Sequence, residues 1–423
     1  MIKRTHLHPS DLHGLSRLAI EATVGVTDLA EAMHHSRVPR SLDRPAHGLT
    51  RGITGLVYRG VRGVTRLAGG GIDAVLGRLV PMIGERGSSP EREAVLAALN
   101  GVLGDHLVAS NNPLAISMRL RRDGQPLELE REALSAAFPQ AGGKLLVLAH
   151  GLCMNDLQWD RQGQVAALAR DFGFTPVYLH YNSGLHVSTN GHAFADMIES
   201  LLEHWPVPLE TLVIIGHSMG GLVARSACHY ASAAGREWPR CLDKLVFLGT
   251  PHHGAPLERG GNWVDFMLGA SPYTAPFARL GKIRSAGITD LRHGNLLDED
   301  WEGRDRFERP CVMPRPVPLP QGVACYAIAA TTGKKPGDLK DRLLGDGIVP
   351  VESALGRHSD PSLALSIPES RQWIAYGLSH VELLGHPDVY RQIRQWLDPG
   401  PTAYRKKAQT SQPKRPPERC LTA

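Results

Sequence analysis

Cysteine is scarce in this 423-residue chain, and nothing in the sequence pairs what there is. Cys153, Cys228, Cys241, Cys311, Cys325 and Cys420 lie far apart, with no C-x-x-C and no zinc-type spacing. A disulfide-built scaffold and a structural zinc centre are thereby excluded. H-E-x-x-H is missing as well, so no metal is expected. No uninterrupted apolar run approaches the length of a membrane-spanning helix. Met1-Ile2-Lys3-Arg4 leads into His6, His8, Asp11 and His13 where an export signal would have its apolar core. The expected location is cytoplasmic, with peripheral membrane contact as the variant to test. The basic segments carry no interleaved series of aromatic stacking residues, so nucleic acid is not an expected partner.

What is present is unevenly spread. The formal net charge of +5 comes from the two ends. Between Arg37 and Val80 stand eight Arg against two Asp, a net of +6, and residues 400–423 hold six Lys/Arg against one Glu, a net of +5. The remainder is mildly acidic. Residues 1–90 have helical periodicity, from Ser16 to Met33 and again from Arg51 to Leu79, where Arg51, Arg59, Arg62 and Arg66 lie mostly off the apolar face. This extension is expected to pack on the main domain, or to lie with its 37–80 segment on an anionic lipid surface. Residues 91–398 read as one catalytic domain: a helix at Glu91–Leu103, then a hairpin of Ala115–Leu120 and Leu127–Glu130 turned at Asp123-Gly124. Strands follow at Lys144–Ala149, Thr175–Tyr181, Thr211–Ile215, Lys244–Leu248, Val323–Ala329 and Gln372–Tyr376, with helices such as Gln164–Arg170 and Ala193–His204 between them. That alternation predicts an α/β fold, a mostly parallel sheet covered by helices on both faces. Residues 255–320 break the rhythm and are expected to form a lid-like insertion. Residues 399–423, rich in Pro, Lys and Arg, read as a disordered tail.

The chemistry concentrates at Leu212-Val-Ile-Ile-Gly-His-Ser-Met-Gly-Gly221. A buried strand that turns straight into a helix leaves no room for side chains two residues either side of the turn residue. Gly216 and Gly220 relieve that crowding, and His217 and Ser218 complete the elbow. Ser218 then stands at the sheet's carboxyl edge over a helix N-terminus, where negative charge is well placed. A serine nucleophile needs a base, an acid to orient the base, and donors for the oxyanion. Asp346, between Gly345 and Gly347 and ahead of the last strand, is the favoured acid, with Asp290 second. His380, just past that last strand, is the favoured base, with His386 and then His358 behind it. The Lys144–Ala149 strand ends in His150-Gly151-Leu152-Cys153, which nominates the backbone amides of Leu152 and Met219 as oxyanion donors. His150 and Asp156 are expected to hold that loop in shape.

Together, His150-Gly151-Leu152, the Gly-His-Ser-Met-Gly-Gly-Leu-Val-Ala-Arg run at 216–225, Gly249-Thr-Pro-His-His-Gly254, Gly345-Asp346-Gly347 and the late His380 resemble the α/β-hydrolase superfamily. The resemblance is to its serine lipase/esterase branch, including lipases of the inositol-deacylase type, and covers roughly residues 110–398. It implies a Ser218–Asp346–His380 triad, no cofactor and an acyl-enzyme intermediate. The expected activity is hydrolysis of a hydrophobic, lipid-like or small-molecule acyl ester. The alternatives are an acyltransferase or thioesterase on the same fold, or a membrane-associated binding protein whose hydrolase domain is vestigial.

Overall fold

In the computed structural model the described residues are 8–36, 59–65, 67, 70, 73, 88–159, 163–255, 285–303, 316–334 and 345–398. Eight strands form one sheet: β1 (Arg119–Arg122), β2 (Gln125–Pro126), β3 (Lys144–Ala149), β4 (Thr175–His180), β5 (Thr211–His217), β6 (Leu242–Leu248), β7 (Ala324–Thr331) and β8 (Gln372–Tyr376). Their order is β2-β1-β4-β3-β5-β6-β7-β8. Only β1 pairs antiparallel, with β2 and with β4; every other pair is parallel. Strands β3, β5 and β6 are continuous apolar runs because helices cover both of their faces, and Leu145–Ala149, Leu212–Ile215 and Leu245–Leu248 are all buried. Ala149 stands level with Gly216, and Gly216 with Phe247, so these strands end together. In an open α/β sheet that shared carboxyl edge is where ligand chemistry gathers.

The helices are α1 (Pro9–Ser36), α2 (Pro90–Ala109), α3 (Arg131–Ala137), α4 (Gln164–Phe172), α5 (Val187–His204), α6 (Met219–Ala233), α7 (Ala286–His293), α8 (Val351–Ala354) and α9 (Pro387–Leu397). Local sequence explains several of their ends. Ser89 caps α2 by accepting from the Arg92 amide at 3.3 Å, with Pro90 at the first helical position. Gly173 closes α4 in the left-handed region. Val389, Tyr390, Ile393 and Leu397 give α9 one buried stripe. Helix α5 packs on α6, and a side chain at Gly191 would overlap the Ser226 hydroxyl.

One expectation is corrected. The hairpin turns at Asp123-Gly124 as predicted, with φ of 49° and 74°, but its strands are short and sit directly against the turn. Ala115–Ser117 and Leu127–Leu129 run outside the strands, since β1 is held by β4 over only Arg119–Arg121. Near the start of the chain, His8 and His13 are buried. Helix α1 lies against α2 and the 111–114 loop: Asp11 takes a forked ion pair from Arg92 at 2.7–3.0 Å, and Asn112 donates to the Gly14 carbonyl at 3.1 Å. His13 and Arg17 both reach Asp73. Residues 285–303, inside the expected lid, are fastened to the body. Ser285 donates to the Gly101 carbonyl at 2.7 Å, Trp301 stacks on His186 at 3.7 Å and donates to Ser188. The remainder of that expectation, 256–284 and 304–315, and the 399–423 tail lie outside the described residues, as does most of 37–80. No helix among the described residues is long and apolar enough to cross a membrane, and no His/Cys/Asp/Glu group among them could hold a metal ion.

Candidate active site

Ser218 joins β5 to α6 with φ 53° and ψ −122°, a conformation L-residues rarely hold. Such backbone costs on the order of 1–3 kcal/mol and persists only where its surroundings enforce it. Here they do. The Ser218 amide donates to the Leu248 carbonyl at 2.8 Å. A side chain at Gly216 would fall 2.5 Å from the Gly221 nitrogen, and one at Gly220 would overlap the Ala149 carbonyl oxygen. Gly221 is equally constrained, against the Thr250 hydroxyl. Gly216 and Gly220 are thus points of close approach, and Gly221 adds a third.

Asp346 and His380 meet although 34 residues separate them. The His380 Nδ1–H donates to Asp346 Oδ2 at 2.6 Å, both side chains being fully buried. The other carboxylate oxygen accepts from the amides of Ile348 and Val349 at 3.0 and 2.8 Å, which the turn at Gly345 and Gly347 presents to it. The His380 amide in turn donates to the Asp346 carbonyl at 3.2 Å. With Nδ1 committed as donor, Nε2 carries the imidazole lone pair, and among the described residues it has no hydrogen-bond partner. The Ser218–His380 hydrogen bond is therefore not made in this structure. Two contacts nonetheless bring them to the same turn. Gly249, the residue after Ser218's acceptor, lies against the His380 ring, where a side chain would come within 3.0 Å of Cε1. His217, next to Ser218, has its ring centroid 4.8 Å from that of His380.

His217 has a role that sequence reasoning missed. Its Nε2–H donates to the His380 carbonyl at 3.1 Å, pinning the loop that carries the imidazole. Burial first, and then the neighbouring charge of His380, holds the His217 pKa well below its ordinary value, so it stays a neutral donor. A variable position of the elbow gave no signal for this.

The loop after β3 is held by several contacts. Its turn is closed by the Met154 amide on the Gly151 carbonyl at 3.3 Å, with Cys153 at φ 58°. The Cys153 amide donates to Ser183, and Tyr181 donates its hydroxyl to the His150 carbonyl at 2.8 Å. The His150 ring stacks on Tyr181 at 4.3 Å, and burial brings its pKa down to about 3. Neither the Leu152 amide nor that of Met219, the first of α6, finds an acceptor among the described residues. Asp156 supports the loop from farther away, pairing with His180 at 3.0 Å and Arg121 at 3.2 Å.

The runner-up residues have other partners. Asp290 accepts from His186 and from the Val187 amide at 2.8 Å, and binds Asn295. His386 caps α9 by accepting from the Asp388 amide. His358 accepts from the Asp360 amide and faces His253 instead of Ser218.

Residues 142–313 match the PGAP1-like alpha/beta domain, a segment that holds Leu152, Ser218 and Met219 and stops short of Asp346 and His380. None of the curated proteins compared matches the sequence. Among solved structures the chain is similar to the Bacillus licheniformis lipase BlEst2 in mature form, at 15% identity over 66% of this chain and 98% of that one, TM-score 0.40. The Pyrococcus furiosus esterase Pf2001 is 12% identical over 61% of this chain and 80% of its own, TM-score 0.36. Mouse alpha/beta hydrolase domain-containing protein 10 is 13% identical over 60% and 88%, TM-score 0.33. The fold rests on the strand order and the strained elbow. The strand order and helical cover are those of an α/β-hydrolase fold, and residues 142–313 match the PGAP1-like alpha/beta domain.

Proposed function

We propose that this protein is a serine carboxylic-ester hydrolase acting on a hydrophobic acyl ester through an acyl-enzyme intermediate. The observation that carries the reading is Ser218, held at positive φ at the sheet edge in front of a His380–Asp346 pair. The Ser218 Oγ attacks the ester carbonyl carbon while its proton passes to His380 Nε2. The carbonyl oxygen, now negative, accepts from the Leu152 and Met219 amides. As the C–O bond to the alcohol breaks, His380 returns the proton to the leaving oxygen. Water repeats the sequence against the acyl-enzyme and frees the acid. Asp346 keeps its charge throughout, holding the tautomer and stabilising the imidazolium. No step calls for a metal or cofactor.

Turnover of an acyl-chain-length series of aryl esters, with Ser218→Ala alongside, tests this. Activity in the wild type that falls by at least about 10³-fold in the variant, with an unchanged melting midpoint, is expected. Full activity in Ser218→Ala would end the reading.

A lipid surface is the proposed source of substrate. Leu12 and Leu15 on α1, and Val61, Val64 and Leu67 beside Arg59 and Arg62, are exposed apolar side chains gathered in one N-terminal region that also carries the positive charge. That pairing suits an anionic membrane contacted from a cytoplasmic, peripheral position.

A further inference from the structure

Away from Ser218, a cavity of about 500 Å³ opens where Arg225 emerges from α6, seven residues or about 10 Å along the helix. Six basic side chains line its described part: Arg225, His252, His253, Arg292, His293 and His358. No carboxylate does. Arg225 is 4% exposed, and no acidic partner meets it among the described residues. Its Nη2–H donates to the Val317 carbonyl at 2.6 Å and its Nη1–H to His252 Nδ1 at 3.2 Å, while Nε finds nothing. Since arginine can only donate, that contact fixes His252 Nδ1 as acceptor and leaves its proton on Nε2, which is also unpartnered.

Burying a cation without a counter-ion is costly, and burying spare donors beside it adds to the cost. Two described acids close in sequence to lining residues are engaged elsewhere. Asp360 accepts from the Ser362 amide and hydroxyl at the surface, and Asp290 holds His186 and Asn295.

We propose that this cavity is a binding site for a phosphate-type oxyanion, gripped by Arg225 and Arg292 with the surrounding imidazoles as further donors. A carboxylate is satisfied by one guanidinium fork. Donors converging from α6, the loop after β6, the end of α7 and the 358–366 loop suit a tetrahedral, acceptor-only group. The volume exceeds what a bare phosphate fills, leaving room for a group esterified to it. The ligand is thus either free phosphate or the head group of a phosphate ester.

Isothermal titration of inorganic phosphate into the full-length protein tests the site without recourse to turnover. Saturable binding in the wild type, weakened at least about tenfold by Arg292→Gln and by His253→Gln at unchanged melting midpoints, is expected. A short-chain phospholipid that displaces the phosphate assigns the site to a head group; failure to displace assigns it to the free anion. Phosphate that does not bind saturably up to about 10 mM, or binds equally to both variants, overturns the proposal, since a guanidinium–oxyanion contact must register in that range. Arg225→Met, which also severs the Val317 and His252 contacts, should abolish binding and lower the melting midpoint; if it lowers the midpoint while phosphate affinity is unchanged, Arg225 is only a tie between helix and loop and the assignment fails.

Discussion

At the scale of single residues, burial decides which ionisable groups act and which only hold. Asp346 is enclosed by three donors, so Asp346→Asn preserves its size and the Oδ1 contacts while spoiling the bond to His380 Nδ1–H. A fall in kcat of about 10³–10⁴-fold with little change in KM is expected, read from steady-state kinetics on an aryl ester. His150 illustrates the holding role. Its pKa of about 3 in the fold lies below the unfolded 6.5, so the unfolded chain binds the extra proton between those values. His217 and His252 are displaced the same way. Stability is therefore full above pH 6.5 and falls as pH drops toward 3, by up to about 1.4 kcal/mol per pH unit for each such histidine. Urea midpoints at several pH values between 7.5 and 4 should decline steadily, with a shallower decline in His150→Phe, which keeps the stack on Tyr181. A flat profile would contradict these neutral buried imidazoles.

At the scale of elements, the elbow is a contact between β3, β5, α6 and the loop after β6, and its glycines are the points of closest approach. Gly220→Ala must push α6 away from the Ala149 carbonyl, backbone against backbone, and so displace the Met219 amide from its place. A loss of stability of about 1–3 kcal/mol together with at least about 10²-fold lower kcat is expected, measured by denaturant midpoint and ester turnover. Most elements were legible in advance because their signals are local: continuous apolar runs for β3, β5 and β6, and Pro90, Gly173 and Pro387 at helix ends. What was not legible depended on partners distant in sequence. The length of β1 is set by β4, the burial of His13 by Asp73, and the anchoring of 285–303 by Gly101 and Ser188. Likewise Asp346 and His380 could be named from chain order and strand ends, whereas His217's hold on the His380 carbonyl needs the fold. At the N-terminal element, Val64→Glu with Leu67→Glu should cut co-sedimentation with anionic vesicles by at least about fivefold, since burying an acidic side chain against a negative surface is unfavourable. Equal sedimentation would remove the lipid contact.

At the scale of the whole molecule, the sheet brings three stretches of chain to one edge: the β3 loop, the elbow, and the turns following β7 and β8. The family match covers the first two and leaves out the third, so the proposed machinery as a whole is tested only by a measurement that requires all three. Reaction with a fluorophosphonate does so, because the reagent phosphonylates a serine, with fluoride leaving, only when that serine is activated. The wild type should take one adduct, located by mass spectrometry on the peptide containing Ser218, and His380→Gln should react at least about 10³-fold more slowly. An unlabelled wild type, or an adduct that persists in Ser218→Ala, would contradict the account.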